Sequence, residues 1–409
     1  MNKKFIFVLM ILLAVTLACA MIPSAIESAP ANVGTVVAAT FQALTASVPG
    51  ANPAPDSASQ SATDLLSHAM YFLNNDSAGL AQVYRLEKDG KTVKQVTFEV
   101  AEVEYYDVSM KDGSVAYVSN NQLLIVNADG SNRRMLLDGG AVDENSPYLN
   151  NISNPVFSPN NETIAYGHKG LNFYSLVTGK SNRVLEDVIE DAGNGFLFPR
   201  EMFRPEQYTA DGSKLLITLG YYEGASAVIY YPSSNALVRL NGVEGTMICC
   251  GETEWAPDGS MFYAASPTSG MFSAGLWRVD AVTGKVTTLF SGSYDTNPAE
   301  VADEPFLAPN GNLYFFYAAI SNAGEFINRP PLQLVRSKMD GVTNRTILRP
   351  ETYENMNESL WALDGSFVIA AIAQTPDSYQ GGAAQLVYTD GQKGVLSLVP
   401  YATKMKWGP

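Results

Sequence analysis

Imidazole and thiol chemistry have little to work with in this chain. His68 and His168 are the only histidines among 409 residues, and Cys19, Cys249 and Cys250 are the only cysteines. The histidines lie far apart, without the spacing of a metal site, and three cysteines make no disulfide framework. Positive charge is short as well: 26 Lys and Arg face 41 Asp and Glu, for a net charge of -15. That balance opposes phosphate backbones and disfavours nucleic acid as a partner. No G-x-S-x-G is present, so a serine hydrolase lacks its nucleophile motif. Beyond the N-terminus no apolar run is long enough to span a bilayer. Catalysis would have to rest on carboxylates, tyrosines or a bound ion.

What is present begins with MNKKFIFVLMILLAVTLACA. Lys3 and Lys4, the apolar run from Phe5 to Leu17 and the small residues after it form an export signal over 1–19. Thr16-Leu17-Ala18-Cys19 resembles the bacterial lipobox, which implies acylation of Cys19 and a lipid tether. Thr and Leu stand in swapped order relative to that pattern, and Ala18-Cys19-Ala20 also satisfies an ordinary small-x-small cleavage site. Residues 20–63 are rich in Ala, Ser and Pro, ending in PGANPAPDSASQSA. They cannot pack a core and read as a flexible linker. A short helix around Val33, Val36, Val37, Phe41 and Leu44 is the alternative there.

From residue 64 onward, short β-rich runs alternate with Gly, Asn, Asp and Pro turns, and no long helical period appears. One turn recurs: MKDG at 110–113, SPNN at 158–161, TADG at 209–212, APDG at 256–259, APNG at 308–311 and ALDG at 362–365. Their ends are spaced by about 50 residues, a propeller period with four strands per unit. A second strand follows each turn (SVAYVS, TIAYGH, KLLITL, MFYAAS, LYFFYA, FVIAAI), and third and fourth strands complete each unit. Residues 69–98 hold a second, third and fourth strand but no first. The terminal ATKMKWGP ends in Trp407-Gly408-Pro409, which matches Trp255-Ala256-Pro257. The last strand is therefore expected to complete the first unit, removing exposed sheet edges. The expectation is an all-β, seven-bladed β-propeller over 64–409, closed by pairing of its terminal strands, with six or eight blades as alternatives.

Trp255-Ala256-Pro257-Asp258-Gly259, Phe157-Ser158-Pro159-Asn160-Asn161 and Leu276-Trp277-Arg278-Val279-Asp280 resemble the W-S-P-D-G repeats of TolB-like, or WD40-like, propellers of bacterial envelope proteins. The resemblance covers nearly everything after the linker and implies the fold. It says little about function, because such repeats serve scaffolds, sensors and accessory domains of peptidases. There is no room for the separate α/β domain of TolB itself. Trp255, Trp361 and Phe157 are expected to pack between blades.

Counting back three residues from the aromatic or apolar position before each turn gives Asn154, Glu252, Glu304 and Glu358, with Lys404 on the closing strand. These positions fall near the start of the innermost strands. They fit a cation- or amine-binding funnel, with Ca2+ as the suitable ion for several oxygen ligands. They equally fit a solvated rim in an acidic protein. Cys249-Cys250 presents a choice between two small half-buried residues and a ring-closed vicinal disulfide, whose Cα separation of about 3.8 Å lies below the usual disulfide range. The connections 187–206, 321–331 and 375–383 read as long loops, with Phe196, Phe198, Phe203 and Arg204 as a candidate aromatic patch.

These readings point first to a non-enzymatic, envelope-tethered lipoprotein that binds or scaffolds a protein or glycan partner, without a cofactor. A lyase or hydrolase acting on polysaccharide through channel carboxylates and a bound cation is the second expectation. A sensor subunit of a membrane complex is the third.

Overall fold

The computed structural model describes residues 64–409 apart from 144, 194, 243–245, 250–252, 270–271, 294 and 322–327. The expected leader, the linker, Cys19, Glu252 and Cys250 all lie outside the described residues. The compact unit that holds the described ones is Ala62–Pro409. Among them no helix is long and apolar enough to cross a membrane.

The strands form antiparallel sheets whose order follows the chain; four hold four strands, one holds five and one holds seven. Composition explains the local choice. The second strand Val115–Ser119 is β-branched, aromatic and small, and is buried along its whole length, which suits a central strand covered on both faces. The turns supply the chemistry to reverse it. At 256–259 Asp258 Oδ1 accepts the Ser260 amide at 2.9 Å, and Gly259 takes φ +64. A Cβ at that position would stand 2.8 Å from Thr209 Cγ2, so the glycine permits both the turn and the close approach of the neighbouring unit.

The seven-stranded sheet holds the closure. Leu396–Trp407 pairs through its first half with Gly382–Tyr388, in register Leu386 with Leu396 and Gly382 with Ala402. Through its second half it pairs with Met70–Asn75, in register Met70 with Trp407 and Leu73 with Thr403. One strand thus serves as the fourth strand of the last unit and the first strand of the first. The pairing of terminal strands expected from Trp407-Gly408-Pro409 is what the sheet shows.

The first strands of successive units touch in a closed cycle. Val103–Val108 meets Ser153–Phe157, which meets Leu197–Tyr208; Thr253–Trp255 meets Ala299–Leu307, which meets Met356–Trp361, which meets Leu396–Trp407, which returns to Val103–Val108. The remaining join, from Leu197–Tyr208 to Thr253–Trp255, is made by Trp255 Nε1 donating to Gln207 O at 3.2 Å. A ring of radially stacked antiparallel sheets is a β-propeller. Its core is divided among the interfaces between neighbouring sheets, for example Leu216 and Ile229 against Phe262 and Trp277, and Phe316 and Leu334 against Val368 and Val387.

Two faces of different character follow from the meander. First-to-second and third-to-fourth turns emerge on one face, and they are short. Second-to-third and fourth-to-first connections leave from the other, and there the longer connections join Asp138 to Ser153, Glu186 to Leu197, Arg239 to Thr253, Ile320 to Gln333 and Ile372 to Gly382. One expected loop is not a loop. Within 187–206, Val188–Asp191 pairs with the start of the 12-residue strand Leu197–Tyr208, forming a hairpin that extends the sheet to five strands. The Arg200–Glu190 pair at 2.7 Å bridges it, and Tyr148 OH donates to Leu197 O at 2.6 Å, tying it to the preceding connection.

Candidate functional site: the axial channel and the long-connection face

The innermost strands carry a bulge at the position the sequence count singled out. Register shifts occur at Ser153/Val156, Asp303/Phe306 and Met356/Glu358. Asn154, Glu304 and Lys404 sit there with φ of 48, 50 and 52. A non-glycine residue in the left-handed region costs on the order of 1–3 kcal/mol and persists only where its surroundings over-determine it. Here they do, through bonds from one unit to the next.

Those bonds are made largely by carboxylates. Glu304 accepts Ser359 N and Ser359 Oγ of the next first strand, each at 3.2 Å, and its backbone carbonyl accepts Trp361 Nε1 at 3.0 Å. Glu358 in turn accepts Lys404 N at 2.7 Å and, through its other oxygen, Met405 N. Asp107 accepts Phe157 N at 2.7 Å and forms an ion pair with Lys406 Nζ at 3.0 Å, so one side chain joins three units. Asn154 Nδ2 donates to Glu206 Oε1 at 3.3 Å, and Gln207 Nε2 lies 3.4 Å from both oxygens of Glu254. The expected packing aromatics fit between units: Phe157, Trp255 and Trp361 are buried, and Trp407 Nε1 donates to Trp361 O at 2.7 Å.

The structure thus places Asn154, Glu304 and Glu358 on the channel wall as bonding groups between strands, and does not gather them around one point. Among the described residues no three carboxylate, imidazole or thiolate side chains converge as a metal site. Cys249 is buried and disulfide-bonded.

The focus of charge is one that strand counting missed. Lys406 is crowded by protein, which works to lower its pKa, but Asp107 and then Glu206 and Glu358 outweigh this and raise it. Its side chain still keeps 35% of its surface open, so the lumen around it is enclosed yet not sealed. Lys404 goes the other way: burial lowers its pKa against the opposing pull of Glu104 and Glu358. Its ammonium donates to Glu104 O and lies 4.9 Å from the Tyr105 ring centroid, while Tyr106 OH donates to Lys404 O at 2.6 Å. Burial raises Glu206 and Glu358, each against hydrogen bonds that favour the charged form.

On the other side of the ring Glu254 lacks such a cation. Burial pushes Glu254 up to about 7, with only Gln207 opposing. Asp303 is raised by burial in the same way, against the Glu304 amide and Arg329. A carboxyl whose folded pKa exceeds its unfolded value lowers stability at high pH, and that penalty shrinks as pH falls through the folded value and is gone below the unfolded one. Stability is therefore expected to rise between pH 8 and pH 5.5, a window above the titration of ordinary carboxylates. Because Glu254 is only partly buried by surface area, its share is set at about 1–3 kcal/mol. Urea unfolding at both pH values measures it. Glu254→Gln should gain that amount at pH 8 and clearly less at pH 5.5, and equal gains at both would remove burial of charge as the cause.

On the long-connection face, Arg329 joins two of the loops. It donates to Asn357 Oδ1 at 2.7 Å and to Pro376 O at 3.3 Å, and its guanidinium lies 4.4 Å from the centroid of the exposed Tyr379 ring. Of the expected aromatic patch, Phe196 is exposed and packs with Phe198 and Tyr222. Phe203 and Arg204 do not belong to it: Phe203 is buried, and Arg204 pairs at 3.0 Å with Asp187, whose side chain is 4% exposed. Tyr222 was not anticipated, because it lies on a separate hairpin tip brought alongside only by sheet pairing.

No protein-family model and no curated protein matches the chain. Solved structures similar to it include TolB from Acinetobacter baumannii, at 16% identity and TM-score 0.43, covering 92% of this chain and 71% of that one. A TolB from Agrobacterium tumefaciens is 14% identical, with TM-score 0.39 and coverage of 82% and 98%. Dipeptidyl peptidase 4 from Porphyromonas gingivalis is 12% identical, with TM-score 0.46; 81% of this chain spans half of that protein. The propeller itself is established by the ring of first strands described above.

Proposed function

We propose that this chain is a seven-bladed propeller acting as an exported binding or scaffolding module, tethered to the cell envelope through Cys19, with a protein partner on its long-connection face. One observation carries the reading: the short turns occupy one face, while the long connections gather on the other, as on scaffolds that carry recognition on loops. The sheets support that blade count, since the seven-stranded one reads as two four-strand units sharing Leu396–Trp407. The leader and lipobox-like Thr16-Leu17-Ala18-Cys19 support export and tethering.

The test places a photo-crosslinking residue at Tyr379 on one face and at Asp364 on the other, in the full chain expressed in its native envelope. Discrete protein adducts from Tyr379 and none from Asp364 are expected. Adducts from Asp364 alone would overturn the assignment of the face. Lipid labelling that survives Cys19→Ala would overturn the tether. An enzyme acting on polysaccharide is the second reading, favoured by Glu254, whose near-neutral carboxyl is suited to proton transfer. Release of reducing ends that is lost in Glu254→Gln would establish it.

A further inference from the structure

Among the described residues no other unit of the ring carries an added hairpin like that of the five-stranded sheet. Every other sheet is built from the repeat alone, whereas here Val188–Asp191 and the extended start of Leu197–Tyr208 project beyond it. The neighbouring hairpin, Leu215–Tyr221 and Gly224–Tyr231, lies alongside through pairs such as Met202 with Gly220. The two tips bring three rings together. Phe196 and Phe198 lie 6.4 Å apart and near parallel, and Tyr222 meets them edge-on at 5.8 and 6.0 Å. Packing has not hidden them: Phe196 is 51% and Tyr222 56% exposed.

The charge around these rings is one-sided. Each arginine nearby is already paired, Arg200 with Glu190, Arg204 with Asp187 and Arg239 with Glu201. Asp191, whose backbone pairs with Leu197, and Glu223, which follows Tyr222 in the chain, are exposed and belong to none of those pairs. Aromatic faces carry negative electrostatic potential and attract ammonium and guanidinium groups. With two exposed carboxylates on the same two hairpins, in a chain of net charge -15, the patch selects against anionic partners and steers cationic ones.

We propose that this paired-hairpin tip is a docking site for a polypeptide segment bearing arginine or lysine, whose cationic side chain rests on Phe196, Phe198 and Tyr222 while Asp191 and Glu223 balance its charge. The inference deepens the proposed partner-binding face and rests on it.

The probe is a fluorescein-labelled peptide of alternating Arg and Ser, followed by fluorescence anisotropy against the whole exported chain, beside the same peptide with Gln in place of Arg. Binding of the Arg peptide alone, weakening as salt is added, is expected. Affinity should fall at least fivefold in Phe196→Ser/Tyr222→Ser and in Asp191→Lys/Glu223→Lys. It should be unchanged in Asp258→Lys/Asp364→Lys on the opposite face. If the double serine variant does not fold, Tyr222→Ser on its exposed turn supplies the same reading. Equal weakening by the opposite-face variant would reduce the effect to net charge and overturn the proposal. So would binding that ignores the rings, or displacement of the peptide by a neutral oligosaccharide. Crosslinks from Tyr379 that persist while the hairpin variants change nothing would remove this site and leave the partner-binding face standing.

Discussion

Deleting residues 402–409 should abolish cooperative folding. The segment supplies the first strand of the first unit, so its loss strips Met70–Asn75 of its inner partner and exposes the sheet edge that closure removes. It also takes away Met405 and Trp407, which are 6% and 8% exposed and belong to the core shared by the first and last units. Removing a buried tryptophan side chain alone costs about 3–5 kcal/mol, against a typical total stability of about 5–15 kcal/mol. The expected result is a chain that binds a hydrophobic dye and has lost its near-ultraviolet circular dichroism. Trp407→Phe is the graded companion. It keeps a ring in the core but loses the donor to Trp361 O, for a cost of about 1–2 kcal/mol in urea unfolding. A truncated chain with a sharp native-like transition would mean that the ring does not depend on its closing strand.

The second large effect is expected at Glu358. Its two oxygens receive the amides of Lys404 and Met405 where the closing strand bulges, and no other carboxylate bonds those amides. Glu358→Ala leaves two backbone donors without partners and takes an opposing charge from Lys406. Met405 is buried while the Lys404 bond is open to solvent, and an unsatisfied buried donor costs about 1–3 kcal/mol, so a loss of about 1–3 kcal/mol is expected. Glu358→Gln keeps an accepting oxygen and should lose about half as much. Hydrogen exchange locates the effect. In the alanine variant the amides of Lys404 and Met405 should exchange faster, while those of Val115–Ser119, in a different sheet, should keep their protection relative to global unfolding. An alanine variant as stable as the parent would show that the carboxylate does not hold the ring shut.

Glu304, Glu358 and Asn154 show how a repeat can be read from sequence while the partners of its side chains cannot. Counting from each turn finds equivalent positions because the repeat is periodic, and the structure does put Asn154, Glu304 and Lys404 at one kind of bulge. What a carboxylate there would bond to cannot be counted, since its partners are backbone amides about 46 to 55 residues away in sequence. The bulges also hid Asp107, Glu206, Glu254, Asp303 and Lys406. Inward and outward positions alternate along a regular strand, and one extra residue reverses the alternation. Parity read from sequence therefore fails on the strands that line the channel. The hairpin within 187–206 was missed for another reason: turn residues and mixed polarity look alike in a loop and in a two-stranded extension.

The sequence by itself determined the all-β class, the four-strand period, the turns and the pairing of the chain's two ends, because these depend on local turn chemistry, β-rich composition and a repeat that recurs about every 50 residues. Tertiary structure alone decided which carboxylates carry strand-to-strand bonds, why Lys406 stays charged within an enclosed lumen, and that Tyr222 joins Phe196 and Phe198. Those outcomes depend on the distance between groups far apart in sequence, and Coulomb energy, desolvation and ring packing all act through that distance.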